Sequence, residues 1–339
     1  MKKIFLISFF GISSFYCSSQ KTLTAEDYEN AVPAYYKTIT AKDLSEHLYV
    51  FASDEFEGRD TGEPGQKKAA EYIRSFYKKI GISSPESPFV KDYFQNIPEG
   101  TFPRIKSSTE NVLGFIKGSE KPDEVLIISA HYDHVGMENG EIYNGADDDG
   151  SGSMAILEIA EAFKQAEKDG FRPKRSILFL HVTGEEKGLL GSKYYTDTQP
   201  VFPLANTVAD LNIDMIGRVD DAHADNPNYV YLIGSDKLST ELHNLSEAVN
   251  KKYFNFELDY TYNDDSDPNR FYYRSDHYNF AKNNIPIIFY FNGVHEDYHK
   301  PTDTPDKINY ELLAKRAQLV FATAWELANR EKRPQLNKK

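Results

Sequence analysis

Histidines and acids gather in five short segments of the chain. They are His131-Tyr132-Asp133-His134, the Asp147-Asp148-Asp149 run inside NGADDDGSG, Glu185-Glu186 after Thr183-Gly184, Asp214 inside NIDM, and the stretch from His295 to His299. Singly, each is an ordinary polar strand end or helix cap. Brought together, that many carboxylates are very unfavourable to bury unless cations accompany them. Cys17 is the one cysteine, so an intrachain disulfide framework and a thiolate zinc finger are both excluded. A metal site here has to use oxygen and nitrogen donors, which suit zinc. Two such ions ~3.5–4 Å apart, bridged by one carboxylate, would activate a water and polarise a carbonyl. Hydrolysis also needs a carboxylate off the metal to take the water's proton. The Glu185-Glu186 pair offers that division, because neighbouring residues leaving a strand point in different directions.

The elements that must position these groups are legible as strand-length apolar runs. These are VLIISA (125–130), SILFLHV (176–182), VADLNI (208–213), YVYLI (229–233) and IPIIFYF (285–291). Helical segments near 153–168, 187–197, 238–252, 277–283 and 309–331 separate or follow them. Continuous apolar strands between helices predict an α/β fold, a three-layer α/β/α sandwich around a central mixed, mostly parallel sheet. In such sheets ligand sites form beyond the carboxyl ends of the strands, where the acid and histidine segments fall. Residues 24–86 read as peripheral helices, with Ala69, Ala70, Ile73, Phe76, Tyr77 and Ile80 at helical spacing and Gly81 as a stop. Only the span from there to Val125 looks irregular.

The segments HYDHVG, GADDDGSG, TGEEKGLLGS, NIDMIG and YHKPTDTPDKI resemble, in order, the signature segments of the M28 family of co-catalytic di-zinc aminopeptidases. The similarity covers about residues 110–330, and SDEFEGRDTGEPGQKKAAEYI resembles that family's lead-in. Beyond a signal segment at 1–19, the chain divides on this resemblance into a helical lead-in at 20–109 packed on the catalytic domain and a peptidase domain at 110–335. The resemblance implies two zinc ions, one held by His131, Asp148 and Asp214 and the other by Asp148, Glu186 and His299, with Asp148 bridging. Glu185 would be the general base and Asp133 the carboxylate that holds the His131 ring through its other nitrogen. Tyr272 would stabilise the oxyanion, with Tyr273 as its neighbour and alternative. A Ser275-Asp276-His277 segment also matches the family. Peptides would be the substrates.

Blander readings hold for the rest. His134 reads as a loop histidine, His181 as a core histidine, and His295 as a pocket-lining residue at most. Asp147 and Asp149 read as loop-shaping and helix-capping residues. Arg59 and Arg274 read as structural ion-pair residues before substrate anchors, and Asp264, Asp265 and Asp267 as a solvated turn. A glutaminyl cyclase-like acyltransferase with one zinc is the competing enzyme, disfavoured by the GADDDGSG loop and by having Trp325 as the sole tryptophan. A non-catalytic protein on the same scaffold would have no need of the base.

Composition narrows the classes further. With 23 Tyr and 22 Phe among 339 residues, a large core is available and global disorder is excluded. The formal charge of −13 lacks the basic footprint a nucleic-acid partner needs. Lys2 and Lys3 followed by the apolar IFLISFFGISSFY form an export signal, too short for a membrane span. Export would place the protein in the periplasm or outside the cell. Cleavage after Ser19 and lipid attachment through Cys17 are the two routes, although Ser14-Phe15-Tyr16 is a poor lipobox. No later stretch is long and apolar enough to span a membrane.

Overall fold

A computed structural model describes residues 23–105 and 107–338. The export segment and Cys17 therefore lie outside the described residues. Helices α1 (Ala25–Tyr36), α2 (Ala41–Phe51) and α3 (Pro64–Ile80) come first. Thr24 and Thr40 cap the first two through their side chains, and Gly81 ends α3 with φ +83°. Strands β1 (Phe94–Ile97), β2 (Thr109–Ile116) and β3 (Lys121–His131) follow. A hairpin of β4 (Gly136–Glu138) and β5 (Glu141–Tyr143) then leads to α4 (Gly152–Lys168) and β6 (Arg175–Val182). The second half contains α5 (Leu190–Lys193), β7 (Thr207–Ile213), β8 (Tyr229–Ile233), α6 (Thr240–Tyr253), β9 (Glu257–Asp259), α7 (His277–Ala281), β10 (Ile287–Phe291) and α8 (Tyr310–Asn329).

Eight strands form one mixed sheet in the order β1-β2-β6-β3-β7-β10-β8-β9. The four central strands, β6, β3, β7 and β10, are parallel. Antiparallel β2 and β8 flank them. The strand alternation divides the core between the two faces of the sheet. Leu126 and Ile128 of β3 face the large helical layer with α1, α2, α3, α4, α6 and α8, whereas Val125 and Ile127 face α7 and its neighbours. The sheet is thus covered on both faces, the α/β/α arrangement that the apolar runs predict.

Two departures from the sequence pattern stand out. The span expected to be irregular supplies β1 and β2, which extend the sheet antiparallel beyond β6. The helix expected at 187–197 is cut to one turn at Leu190–Lys193 followed by a wider turn at Tyr194–Thr198. Among the described residues, no helix is long and apolar enough to cross a membrane.

Candidate metal centre

Because the four central strands run parallel, their carboxyl ends lie along one edge, and the acids and histidines emerge there. His131 is the last residue of β3, Asp214 follows β7 directly, and Glu185 and Glu186 lie just beyond β6. His299 sits in the loop after β10, with φ +53°, and Asp148 in the loop before α4, where its peptide bond to Asp149 is cis. His131 Nε2 lies 3.2 Å from Asp148 Oδ1 and 3.6 Å from Asp214 Oδ1. His299 Nε2 lies 3.1 Å from Asp148 Oδ2 and 3.2 Å from Glu186 Oε2. The two oxygens of Asp148 therefore face two different donor sets.

The loops are held by a dense set of hydrogen bonds. Arg59, fully buried, donates to the carbonyls of Tyr132 (2.9 Å), Phe51 (3.2 Å), Asn144 (2.7 Å) and Gly145 (2.8 Å). It thereby ties the His131 loop to the Asp148 loop. The Asp303 carboxylate accepts the backbone N–H groups of Asp147 and Asp148. Asp147 accepts from Gly217 N at 2.7 Å and pairs with His295 at 3.1 Å. Asp149 accepts from Gly152 N and Met215 N, capping α4 and pinning the segment after Asp214. Gly145 has to be glycine: its φ is +54°, and a Cβ there would lie 2.3 Å from Asp148 O and 2.6 Å from the His134 ring.

His131 Nδ1 donates to the backbone carbonyl of Asp133 at 3.0 Å, which leaves Nε2 as the free donor toward the cluster. The Asp133 carboxylate itself is 3.8 Å away and does another job. It accepts from Thr61 Oγ1 (2.7 Å) and from Glu185 N (3.2 Å), so it positions the Glu185 backbone. The Asp133 carboxylate expected to hold the ring does not do so; the main-chain carbonyl of the same residue does.

The electrostatics fit a cation. Burial opposes charge on His131, yet Asp214 and Glu185 outweigh it and hold the imidazole well above its ordinary value. Burial also pushes Glu186 up, as does Asp148, but His134 and His299 draw it down to about 2. Glu185 behaves oppositely: burial, Glu186, Asp214 and Asp276 push it well above the usual carboxylate range against the pull of His131. Donors of a tetrahedral zinc, each about 2.0–2.2 Å from the ion, lie about 3.3–3.6 Å apart. The 3.1–3.6 Å spacings here match that, from imidazole and carboxylate atoms of the type zinc accepts.

Beside the cluster is a pocket walled by Met215, Phe271, Phe289, Phe291 and Val294, with Glu185, Arg274, Tyr298 and His299 also lining it. Tyr272 does not join this lining. It follows Phe271 in a tight turn and its ring turns away, packing under the Lys237 ammonium at 4.9 Å. Its neighbour Tyr273 is also outside the lining. The phenol at the cluster is Tyr298, stacked on His299 at 4.0 Å. Burial and then Asp148, Glu186 and Asp214 hold its hydroxyl well above the usual range. Sequence spacing could not find it, because ring direction in a short loop is set by the fold.

Other residues fall as follows. His181 is a buried histidine bonded to the Tyr77 hydroxyl at 2.7 Å, and His295 is spent on Asp147 instead of the pocket. Asp264 and Asp267 accept from their own turn at Ser266 and Asn269. Arg274 is exposed, 4.8 Å over the Phe271 ring. Behind the site, Ser275 accepts from Asn212, Asp276 accepts from Ser192, and His277 donates to Tyr272 O. His134, read from sequence as a loop histidine, is fully buried within the cluster. Arg59 is structural, as its sequence reading has it, but its partners are carbonyls and not carboxylates; the anchoring by Asp303 has no sequence signal beyond its PTDT turn.

Residues 111–324 match the model of Peptidase family M28, and the chain belongs to that family. It is similar to Aminopeptidase YwaD of Bacillus subtilis, 28% identical over 239 residues, 68% of this chain and 48% of that protein. The chain spans about half the length of such curated relatives. In fold it is similar to the LapA aminopeptidase of Legionella pneumophila, with a TM-score of 0.69 at 23% identity, covering 93% of this chain and 79% of that one. It is also similar to BSAP, a zinc aminopeptidase from Bacillus subtilis, with a TM-score of 0.64 at 17% identity, covering 88% and 98%.

Proposed function

We propose that this chain is an exported zinc-dependent aminopeptidase that hydrolyses the first peptide bond of peptides with two co-catalytic metal ions. The observation that carries the reading is the division of the cluster around Asp148, one oxygen toward His131 and the other toward His299, with Glu185 in the same pocket. His131, Asp148 and Asp214 would hold one ion, and Asp148, Glu186 and His299 the other. Ions held there supply a polarised carbonyl and an acidified water. Glu185, raised by burial and held from behind through Asp133, takes the water's proton and passes it to the leaving amine. Tyr298 offers a hydroxyl proton to the oxygen that gains charge. The Met215, Phe271, Phe289, Phe291 and Val294 walls favour an apolar first residue.

A cyclase reading finds no support in the pocket. Trp325 is in the core, stacked on Tyr35 and Phe163, and no tryptophan lines the site. Export rests on the basic-apolar pattern of residues 1–19. The deciding experiment is digestion of a peptide library read by mass spectrometry, with and without chelator. Loss of single N-terminal residues, stopped by chelator and restored by zinc, is expected. Internal cleavage, or no turnover with two zinc ions bound, would overturn the aminopeptidase assignment.

A further inference from the structure

We infer that His134 is a fourth protein ligand at the metal position formed by Asp148, Glu186 and His299. The inference rests on the metal-dependent reading above and deepens it. It makes the two positions unequal: the His134 position is the tightly held one, and the His131 position, with three protein donors, is the open one.

His134 is fully buried, on the turn directly after His131. Its Nδ1 lies 2.9 Å from Glu186 Oε1 and 3.8 Å from Asp148 Oδ2. At 2.9 Å a hydrogen bond to Glu186 would be routine, yet among the described residues neither buried atom has a hydrogen-bond partner of proper geometry. A buried imidazole with neither nitrogen bonded is costly. Two donor atoms in contact but not aimed at each other are arranged as neighbours on one cation are. Glu186 divides its oxygens accordingly, Oε1 toward His134 and Oε2 toward His299.

Spacing agrees. The contacts among His134 Nδ1, Asp148 Oδ2, Glu186 and His299 Nε2 run from 2.9 to 3.8 Å and bracket the zinc tetrahedron's edge of about 3.3–3.6 Å. The group of His134, Asp148 and Glu186 is compact enough by itself to hold an ion. The ring is also preset: the Gly145 backbone packs against it, in the loop that carries Asp148. Burial separates the two imidazoles, because the His299 side chain is 39% exposed and His134 is not exposed at all. Four protein donors are the pattern of a held zinc, and three the pattern of one that keeps a position open to reactants.

The test uses the full chain, stripped with chelator and titrated with zinc against a chromophoric competitor. A parallel titration with cobalt(II) is followed by visible absorption. In His134→Asn, the tighter of the two affinities should fall at least about 100-fold, beyond the usual effect of a residue that only supports a ligand. The cobalt band of the first equivalent should shift and weaken. Asp214→Asn should instead weaken the second, looser equivalent. Zinc X-ray absorption of the unmutated protein gives a reading that no folding defect can spoil: three imidazoles over two ions are expected. Two imidazoles over two ions, or a first equivalent unchanged within about twofold in His134→Asn, overturns the inference. Absence of zinc uptake by the unmutated chain would instead overturn the metal reading of the whole site.

Discussion

Glu185 and Glu186 are sequence neighbours with opposite electrostatics. Glu186 faces two imidazoles and is drawn down, whereas Glu185 lies among other acids and is pushed up. A carboxylate that binds its proton well, and sits where a water would be split, is suited to proton transfer. Glu185→Gln keeps shape and removes the base, so kcat should drop by about 10²–10⁴-fold. Zinc content should stay at the unmutated level, since Glu185 lies in neither donor set. Retention of full turnover would remove Glu185 from the mechanism. At this scale the sequence was legible where acids and histidines recur in short ordered motifs at strand ends and in the loops between elements. His131, Asp148, Glu186, Asp214 and His299 are brought together from five separated motifs. It was illegible where ring direction decides, as at Tyr272, Tyr298 and His134. Tyr272 and Tyr298 both belong to Tyr-rich turns, and only the packing of Tyr272 beneath Lys237 and of Tyr298 on His299 tells them apart.

Among the elements, the parallel centre of the sheet could be read from its apolar runs, because strands buried on both faces leave no polar alternation. The antiparallel edge could not. Strand β2 reads TENVLGFI, and its polar residues are buried through partners far away in sequence: Glu110 with Lys67 at 2.6 Å, Asn111 with Gln95 and Gly191. Gly114 admits the Tyr77 ring, which would lie 2.9 Å from a Cβ. Such compensation has no local signature. The same holds for Arg59, whose charge, among the described residues, belongs to no ion pair but to four carbonyls on three separate stretches of chain. Removing it strands those acceptors in the interior. Arg59→Met should cost on the order of 3 kcal/mol of unfolding free energy. It should also lower kcat/KM, since the His131 and Asp148 loops lose their shared anchor. Arg59→Lys should not rescue either property, because one ammonium cannot reproduce the planar fork. Denaturant unfolding and steady-state kinetics on both variants check this. A loss under about 0.5 kcal/mol with normal kinetics would show that the loops hold without the anchor.

At the scale of the whole molecule, the N-terminal helices are built into the same core as the sheet. Trp325 of α8 stacks on Tyr35 and on Phe163 and donates to Tyr28 O, and Thr61 reaches Asp133 at the site. Acid stability should therefore report on one cooperative unit, and two buried histidines set part of its slope. His181 and His277 are both wholly buried, and burial lowers each to about 3 from an ordinary 6.5. Below pH 6.5 the unfolded chain takes up protons at these positions and the folded chain does not. Each histidine thus contributes stability that is full above pH 6.5 and is lost as the pH falls toward 3, at about 1.4 kcal/mol per unit. His181→Gln retains a side-chain amide for the Tyr77 hydroxyl, 2.7 Å from the imidazole, and removes the titration. Its initial deficit at pH 7 should shrink by about 1.4 kcal/mol for each unit between pH 6 and 4. Metal release in acid affects both proteins alike and drops out of the difference. Urea unfolding of the two chains at pH 7, 6, 5 and 4 measures it, and parallel stability curves would mean that His181 is protonated in the folded state.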